Sequence, residues 1–137
     1  MPLKKKIDFN SKIKKLKKNH LAPLANEIKD TIKRRTQSGK DINGKAFKPY
    51  SPSYKEYRIE KGRSAKPNLT DSSNMLNAID WDKLKGGNIG IKMKFNSEEQ
   101  TAKAIGNQKL RPFFGLSRTD MAYFKKQLAK IIFNEIK

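Results

Sequence analysis

The feature that most constrains the fold of this chain is an eight-residue alternation near its middle, NIGIKMKF, at residues 88–95. The apolar positions of this alternation are Ile89, Ile91, Met93 and Phe95. Glycine and lysine fill the positions between them, and a period of two is typical of an antiparallel strand with one face in the core. Trp81 and Leu84 precede the turn residues Gly86-Gly87-Asn88, so the chain is predicted to form a hairpin here.

Apolar residues recur at helical spacing before this hairpin. One stripe runs over residues 10–38 and consists of Ile13, Leu16, Leu24, Ile28 and Ile32, with Leu21 beside it. Such spacing predicts an amphipathic helix that ends at Ser38-Gly39. Pro23 interrupts the stripe, so either the helix kinks there, or a helix of about residues 11–20 meets a second one with Pro23 in its first turn.

Three further helices are predicted from their capping residues. The first begins at Thr70 or Asp71 and carries Met75, Leu76 and Ile79 on one face. The second begins with the capping box SEEQ at residues 97–100 and ends near Ile105, before Gly106. The third covers residues 118–136, where Ser117 and Asp120 form an acidic variant of the capping box; its predicted buried residues are Met121, Phe124, Leu128, Ile131, Ile132 and Ile136.

Residues 39–70 separate the first helix from the rest and contain many turn-forming pairs. These pairs are Asn43-Gly44, Lys48-Pro49, Ser51-Pro52, Lys61-Gly62 and Lys66-Pro67. One short helix is predicted inside the segment, with Ser51 as N-cap and Pro52 at the first helical position. A connection of this length in a small domain is usually functional or disordered, and we expect it to lie across an adjacent subunit.

Together these elements predict an α+β fold in a single domain, residues 1–137. Two long helices pack on a small antiparallel sheet, with a long extended loop and a further strand around RPFFGL at residues 111–116. Adjacent residues of a strand face opposite sides, so one of Phe113 and Phe114 is expected in the core. The other, with Leu116, is expected to pack towards a neighbouring subunit. Residues 1–9 are either an N-terminal arm or a strand added to a neighbour's sheet.

The charge of the chain indicates an anionic neighbour. The formal net charge is +19, mean hydropathy is −0.87 and only 35% of the residues are hydrophobic. Residues 1–40 carry a net +10 and residues 71–106 carry none. An excess of this size, concentrated at one end, favours a polyanion close by in the working state.

Residue types needed for most catalytic sites are missing. The chain has no cysteine and one histidine, His20, so thiol chemistry, disulfides and histidine-based metal sites are not expected. The segments DSS at residues 71–73 and SEE at residues 97–99 lie at predicted helix starts, where capping explains their acidic and hydroxyl side chains. We therefore predict no enzyme, no catalytic residues, no metal and no cofactor. No apolar run approaches the ~20 residues of a membrane span, so synthesis in the cytoplasm is expected.

Basic residues near the N-terminus admit two interpretations. They form either the solvated face of an amphipathic helix or a surface close to phosphate groups. The candidates for phosphate or DNA proximity are Lys14, Lys15, Lys17, Lys18, Lys33, Arg34 and Arg35. Stacking of bases on the strand aromatics Trp81 and Phe95 is less favoured than packing of these rings in the core.

Three motifs in the same order resemble a known family, the bacteriophage virion-morphogenesis or tail-completion proteins of the head-to-tail neck. The motifs are SGKDINGKAFKPYSPSYKEYRIEKG, NLTDSSNMLNAI and RPFFGLSRTDMAYFKKQL, within about residues 35–130. Residues 98–110, EEQTAKAIGNQKL, depart from the family, because this segment is shorter than in the family and lacks aromatic residues. The positions that correspond to the family's loop and terminal motifs are Pro49, Ser51, Pro52, Arg111, Pro112, Phe113, Gly115, Leu116 and Ser117.

This resemblance implies a virion structural protein that forms a ring, commonly sixfold, between the portal or adaptor proteins and the tail tube. The motif residues, with Tyr50 and Phe114, would then serve assembly, and the basic residues would make non-specific contact with genomic DNA. The expected location is the virion neck or tail, after assembly in the host cytoplasm. The alternatives are a stand-alone basic nucleic-acid-binding protein, supported by charge alone, and a tail-tube or minor tail component.

Overall fold

The computed structural model describes residues 16–65, 67, 69, 74–85 and 88–136, and the side chains of 135 and 136 are outside this description. Lys14, Lys15, the predicted N-terminal arm and the predicted caps Thr70 and Asp71 also lie outside the described residues. Within them, the chain combines helices with a two-stranded antiparallel sheet, so the predicted α+β class is confirmed.

Five helices and two strands follow one another in the described residues. They are α1 (Lys18–Gln37), α2 (Pro52–Glu60), α3 (Asn74–Asn77), β1 (Ile79–Lys83), β2 (Ile91–Phe95), α4 (Glu98–Leu110) and α5 (Arg118–Ile136). Helix α1 packs against both strands and against α5, while α4 packs against α3 and β2. The main core therefore lies between α1, the inner face of the hairpin and the two C-terminal helices.

Helix α1 begins later than its apolar stripe predicts. Lys17 is an extended N-cap, and the helix runs without interruption through Pro23. Of the two predicted alternatives, the one in which a second helix starts near Pro23 is therefore wrong. The His20 imidazole stabilises the start, because its Nδ1 accepts a hydrogen bond from the Lys17 backbone N–H at 2.9 Å. The predicted end is confirmed: Ser38 is the C-cap, and Gly39 has the positive φ of +83° that favours glycine there.

The hairpin agrees with the alternation in the sequence. Trp81 pairs with Met93, and Ile91, Met93 and Phe95 are half-buried while the two lysines between them are exposed. The prediction that Ile79 lies on the same helix as Met75 and Leu76 is wrong. Ile79 belongs to β1 and pairs with Phe95. Helix α3 is a single turn, and the Ala78 N–H that closes it bonds to carbonyls of α3, which leaves Ile79 free for the sheet.

Two more boundaries differ from the prediction. Helix α4 begins at its predicted Ser97 cap but continues through Gly106 to Leu110. A single glycine costs a helix only about 1 kcal/mol, whereas Pro112 disfavours helical backbone at Arg111, so the helix stops there. Residues 111–117 form an irregular segment, not the predicted strand.

The prediction for α5 is correct in its bounds and partly wrong in its buried residues. The Ser117 hydroxyl accepts a hydrogen bond from the Asp120 N–H at 3.1 Å, as its capping role requires. Phe124 is buried, but Met121 is 43% exposed, because it lines an open cavity beside Leu24 and Leu128 and is not covered there. The remaining predicted residues with described side chains are half-buried: Leu128, Ile131 and Ile132.

Candidate functional site

Arg111 joins the two assembly motifs predicted from the sequence. Its Nε donates to the carbonyl of Lys48 at 2.8 Å, and its Nη2 donates to the carbonyl of Pro49 at 3.1 Å. The guanidinium also lies 4.6 Å from the centre of the Tyr50 ring. One side chain therefore fixes the backbone that leads into the Ser51 N-cap of α2, and the predicted loop and terminal motifs form one structural unit.

Tyr50 occupies the centre of this unit. Its ring lies near a second guanidinium, that of Arg58 at 5.2 Å, and its hydroxyl accepts a hydrogen bond from the Leu69 N–H at 3.2 Å. Arg58 is only 1% exposed and donates from Nε to the carbonyl of Ser64. A buried guanidinium needs partners of this kind, and the aromatic ring supplies a favourable cation–π contact.

Arg58 is a residue that sequence reasoning missed. Its position four residues after Tyr54 puts both side chains on one face of α2. That spacing is the one signal in the sequence that could have indicated that Arg58 packs near Tyr54. Otherwise a charged residue on a short, basic helix is expected to be exposed. The predicted start of α2 is confirmed, because the Ser51 hydroxyl accepts from the Tyr54 N–H at 3.3 Å, with Pro52 at the first position.

Arg35 holds the terminal motif from the side of α1. Its Nη2 donates to the carbonyls of Phe113, at 2.5 Å, and Gly115, at 2.8 Å. Burial lowers the pKa of Arg35, while Asp120 and Asp41 act in the opposite direction. The sequence analysis predicts that Arg35 contacts phosphate, together with the nearby lysines. In the structure its guanidinium instead donates to backbone carbonyls within the subunit.

Gln108 on α4 holds the same segment from the opposite side. Its Oε1 accepts hydrogen bonds from the backbone N–H groups of Phe113, at 3.1 Å, and Phe114, at 3.0 Å. Its Nε2 donates to the Phe114 carbonyl at 3.3 Å. Sequence reasoning did not identify Gln108, because nothing in the spacing shows that α4 extends far enough to reach these groups.

Phe113 is fully buried in the main core, so the prediction that one of the two phenylalanines lies in the core is confirmed. Phe114 and Leu116 are half-buried and pack against the same core, with the Phe114 ring centre 4.8 Å from that of Phe95. Their predicted packing towards a neighbouring subunit stays a prediction. A Cβ at Gly115 would come within 2.9 Å of Ile42 Cδ1, so a larger residue there would require the Ile42 side chain to shift. The Ile42 N–H donates to the Pro112 carbonyl at 2.9 Å, which ties the 39–47 turn to the motif.

A cleft of about 480 Å³ opens beside the Arg111–Tyr50 contact. Gln100, Lys103 and Asn107 of α4 line one side, and Ser51 and Tyr54 line the other. Gln100 is 8% exposed, and its Oε1 is buried without a hydrogen-bond partner. The cleft therefore combines cationic, amide and hydroxyl groups next to the assembly motifs, which suits contact with a polar chain segment.

The other predicted phosphate-contacting residues are spread along α1. Lys17 and Lys18 are exposed at its start, where the Lys18 ammonium lies 4.9 Å from the Trp81 ring centre and 3.7 Å from an Asp82 carboxylate oxygen. Lys33 donates to Asn77 Oδ1 at 2.5 Å, and Arg34 is exposed. A helix of 20 residues is about 30 Å long, so these groups form two separate basic areas.

No group of three or more histidines, aspartates or glutamates in the described part of the chain could hold a metal ion. None of the helices described here is long and apolar enough to cross a membrane. Comparison of the chain with protein-family models, with curated proteins and with solved structures finds no match.

Proposed function

We propose that this chain is a structural protein of the phage virion neck, which assembles into a ring that joins the tail to the head around the DNA passage. The proposal rests on the ordered resemblance of three motifs to the tail-completion family. It makes the protein a component of the virion, present in the host cytoplasm during assembly, and it assigns no catalysis.

The observation that carries the proposal is the contact of Arg111 with Lys48, Pro49 and Tyr50. Two motifs of that ordered resemblance, separated by about sixty residues in sequence, meet at one guanidinium. A loop fixed in this way can present residues 51–65 to an adjacent subunit without a large loss of entropy on binding. The finer architecture, two long helices on a small sheet with an extended loop, belongs to the same proposal as the frame of the subunit.

Exposed apolar side chains give the ring its contact surface in this proposal. Tyr57 and Ile59 on α2 are 42% and 60% exposed, and Phe133 on α5 is 67% exposed. We propose that neighbouring subunits of the ring bury these side chains, because the centres of subunit interfaces are enriched in aromatic and other apolar residues. The net charge of +19 would be offset by DNA in the lumen and by the neighbouring portal, adaptor or tail-tube proteins.

Native mass spectrometry and light scattering of the purified protein at low and high salt test the proposal. A sixfold ring of a 15.7 kDa chain would have a mass of about 94 kDa. We expect this or another discrete ring mass, alone or after mixing with the adaptor and tail-tube proteins of the same phage. A protein that stays monomeric at every concentration, with these partners and without them, would contradict it.

The variant Arg111→Ala tests the observation itself, with Arg118→Ala as the control. Arg118 is an exposed arginine at the start of α5, so its loss removes the same charge without touching the Tyr50 contact. We expect Arg111→Ala to keep its helical circular dichroism but to lose the ring. Equal assembly of both variants would mean that the junction of the two motifs is not needed for the ring.

The second candidate is a stand-alone nucleic-acid-binding protein, favoured by the exposed Lys17 and Lys18 and by the total charge. Binding through phosphate contacts weakens steeply as salt rises and reads no sequence. Tight, salt-sensitive binding of DNA or RNA by a monomer that ignores neck proteins would support this candidate over the ring.

A further inference from the structure

An open apolar groove lies between β2, α4 and Phe114, on a side of the molecule separate from the Arg111 junction. Its volume is about 530 Å³, and its lining is dominated by Met93, Phe95, Ala104, Ile105 and Phe114. Ile105 is 59% exposed, although it is a large apolar residue. Exposed apolar surface that is also concave is typical of a site for a partner.

The groove is formed before any partner arrives. Gln108 fixes the backbone of Phe114 through two hydrogen bonds, and the Phe114 ring packs against Phe95. Ala104, 5% exposed, gives the α4 side a small residue where a larger one would fill the space. A rigid, preformed groove lowers the entropic cost of binding.

The charges on the groove indicate the chemistry of its occupant. The described residues that line it include Lys94 and Lys109 and no carboxylate. Lys94 alternates with Met93 and Phe95 along β2 and lies 3.8 Å from Asp82, so its ammonium is on the opposite face of the hairpin from the groove. Lys109 on α4 is therefore the cation at the groove. An apolar groove with a lysine at its edge, on a chain with a net charge of +19, is complementary to an apolar segment flanked by acidic residues.

We infer that this groove binds the apolar face of an amphipathic helix that carries acidic residues on its flanks and belongs to a different protein. The chain's own residues 1–15 contain six lysines and one aspartate, so Lys109 would repel them. A second copy carries the same net charge of +19, so like charge would oppose its approach to the groove. The apolar lining and charge of the groove support this inference independently of the proposed function. The inference rests on the proposed function only where it locates the partner in the neck or tail.

Two synthetic peptides of about 16 residues probe the groove, long enough for roughly four helical turns. Both present leucines at positions i, i+3, i+4 and i+7, and they differ in having glutamates or lysines beside the leucines. Fluorescence anisotropy with the full chain measures each Kd. We expect the glutamate peptide to bind at least about tenfold more tightly than the lysine peptide. Equal affinities, or no binding of the glutamate peptide at millimolar concentration, would overturn the inference.

Ile105→Glu and Leu110→Glu form a matched pair of variants, because the two residues are 59% and 57% exposed on α4 and Ile105 alone of the two lines the groove. Ile105→Glu should weaken binding of the glutamate peptide at least about tenfold, and Leu110→Glu should leave its Kd unchanged. Lys109→Glu should reverse the preference between the peptides, which no loss of folding would do. Equal effects of Ile105→Glu and Leu110→Glu, or tighter binding of a peptide of residues 1–15, would overturn the assignment.

These results are separable from the ring. Ile105→Glu that loses the peptide but retains the ring mass would support the groove and the neck proposal together. If the protein never forms a ring but binds the glutamate peptide more tightly than the lysine peptide, the neck proposal is contradicted and the inference about the groove is supported.

Discussion

Gln108 and Arg35 are the residues that hold the backbone of the segment 111–117 in place. They approach it from two helices and bond to its N–H and carbonyl groups, so this irregular segment has its polar groups satisfied without belonging to a sheet. The fully buried Phe113 ring depends on this arrangement, because its backbone would otherwise leave partly buried polar groups without partners.

Gln108→Met should destabilise the protein by about 2 kcal/mol, because methionine keeps the size of the side chain and leaves two backbone N–H groups without an acceptor. Urea unfolding followed by circular dichroism measures this change. Gln127→Met is the control, since Gln127 is half-buried on α5 and lies outside the motif. A cost no larger than that of the control would show that the three hydrogen bonds contribute little.

Asp82 gives a prediction about pH. The backbone N–H of Lys83, and then Lys18, lower the pKa of Asp82 below its usual value. A lowered folded-state pKa contributes stability above the unfolded pKa of about 4, and this contribution is lost as the pH falls through the folded value. Asp82→Asn should therefore reduce stability slightly at pH 7 and not at pH 2. Thermal unfolding at both pH values checks the sign, and an equal loss at both would contradict it.

At the scale of elements, the helix boundaries show what the sequence could and could not predict. Ser51, Ser97 and Ser117 all cap the helices predicted for them, because a capping hydroxyl acts on N–H groups three residues away and is a local signal. The end of α4 was missed, since whether Gly106 ends a helix or is tolerated depends on packing.

The same limit applies to the candidate site. The motifs indicate Pro49, Tyr50 and Arg111 as site residues. No local pattern, however, predicts the hydrogen bonds of Arg111 to the loop carbonyls. Arg35 was grouped with the lysines, because in sequence it follows Lys33 and Arg34, and only tertiary structure separates its role from theirs. Contacts between distant residues were thus the part that local patterns left open.

Gly106→Ala should stabilise the protein by about 0.5 to 1 kcal/mol, because alanine is the better helix former and no atom outside the helix lies within 4 Å of the added Cβ. Gly39→Ala should have the opposite effect, since an alanine is strained at a φ of +83° and its Cβ would lie 3.1 Å from the Pro67 carbonyl oxygen. Paired urea unfolding curves measure both changes. Destabilisation by Gly106→Ala would mean that α4 does not pass through this residue as a regular helix.

At the scale of the whole molecule, self-repulsion opposes the folded state. A net charge of +19 on 137 residues is spread over an exposed surface with few ion pairs among the described residues, and those are weak. The subunit is therefore expected to be more stable when anions surround it, either as salt or as a polyanionic partner.

Raising sodium chloride from about 0.05 to 0.5 M should increase the melting temperature by about 3 °C, which corresponds to ~1 kcal/mol for a domain of this size. A variant with glutamine at Lys45, Lys55, Lys126 and Lys130, all on the surface or nearly so, should show a smaller increase. Differential scanning calorimetry of both proteins measures it. An equal salt response would show that the lysine charges are not its cause.

The hydrogen bonds between Arg35 and the segment 111–117 cannot form until most of the chain has been synthesised. The guanidinium and the Phe113 carbonyl are 78 residues apart in sequence. At a synthesis rate of 5 to 20 residues per second, α1 waits about 4 to 16 seconds before its partner is made. During that interval the growing chain is strongly basic and incomplete. The nascent chain therefore exposes its positive charge to cellular polyanions before the subunit can fold.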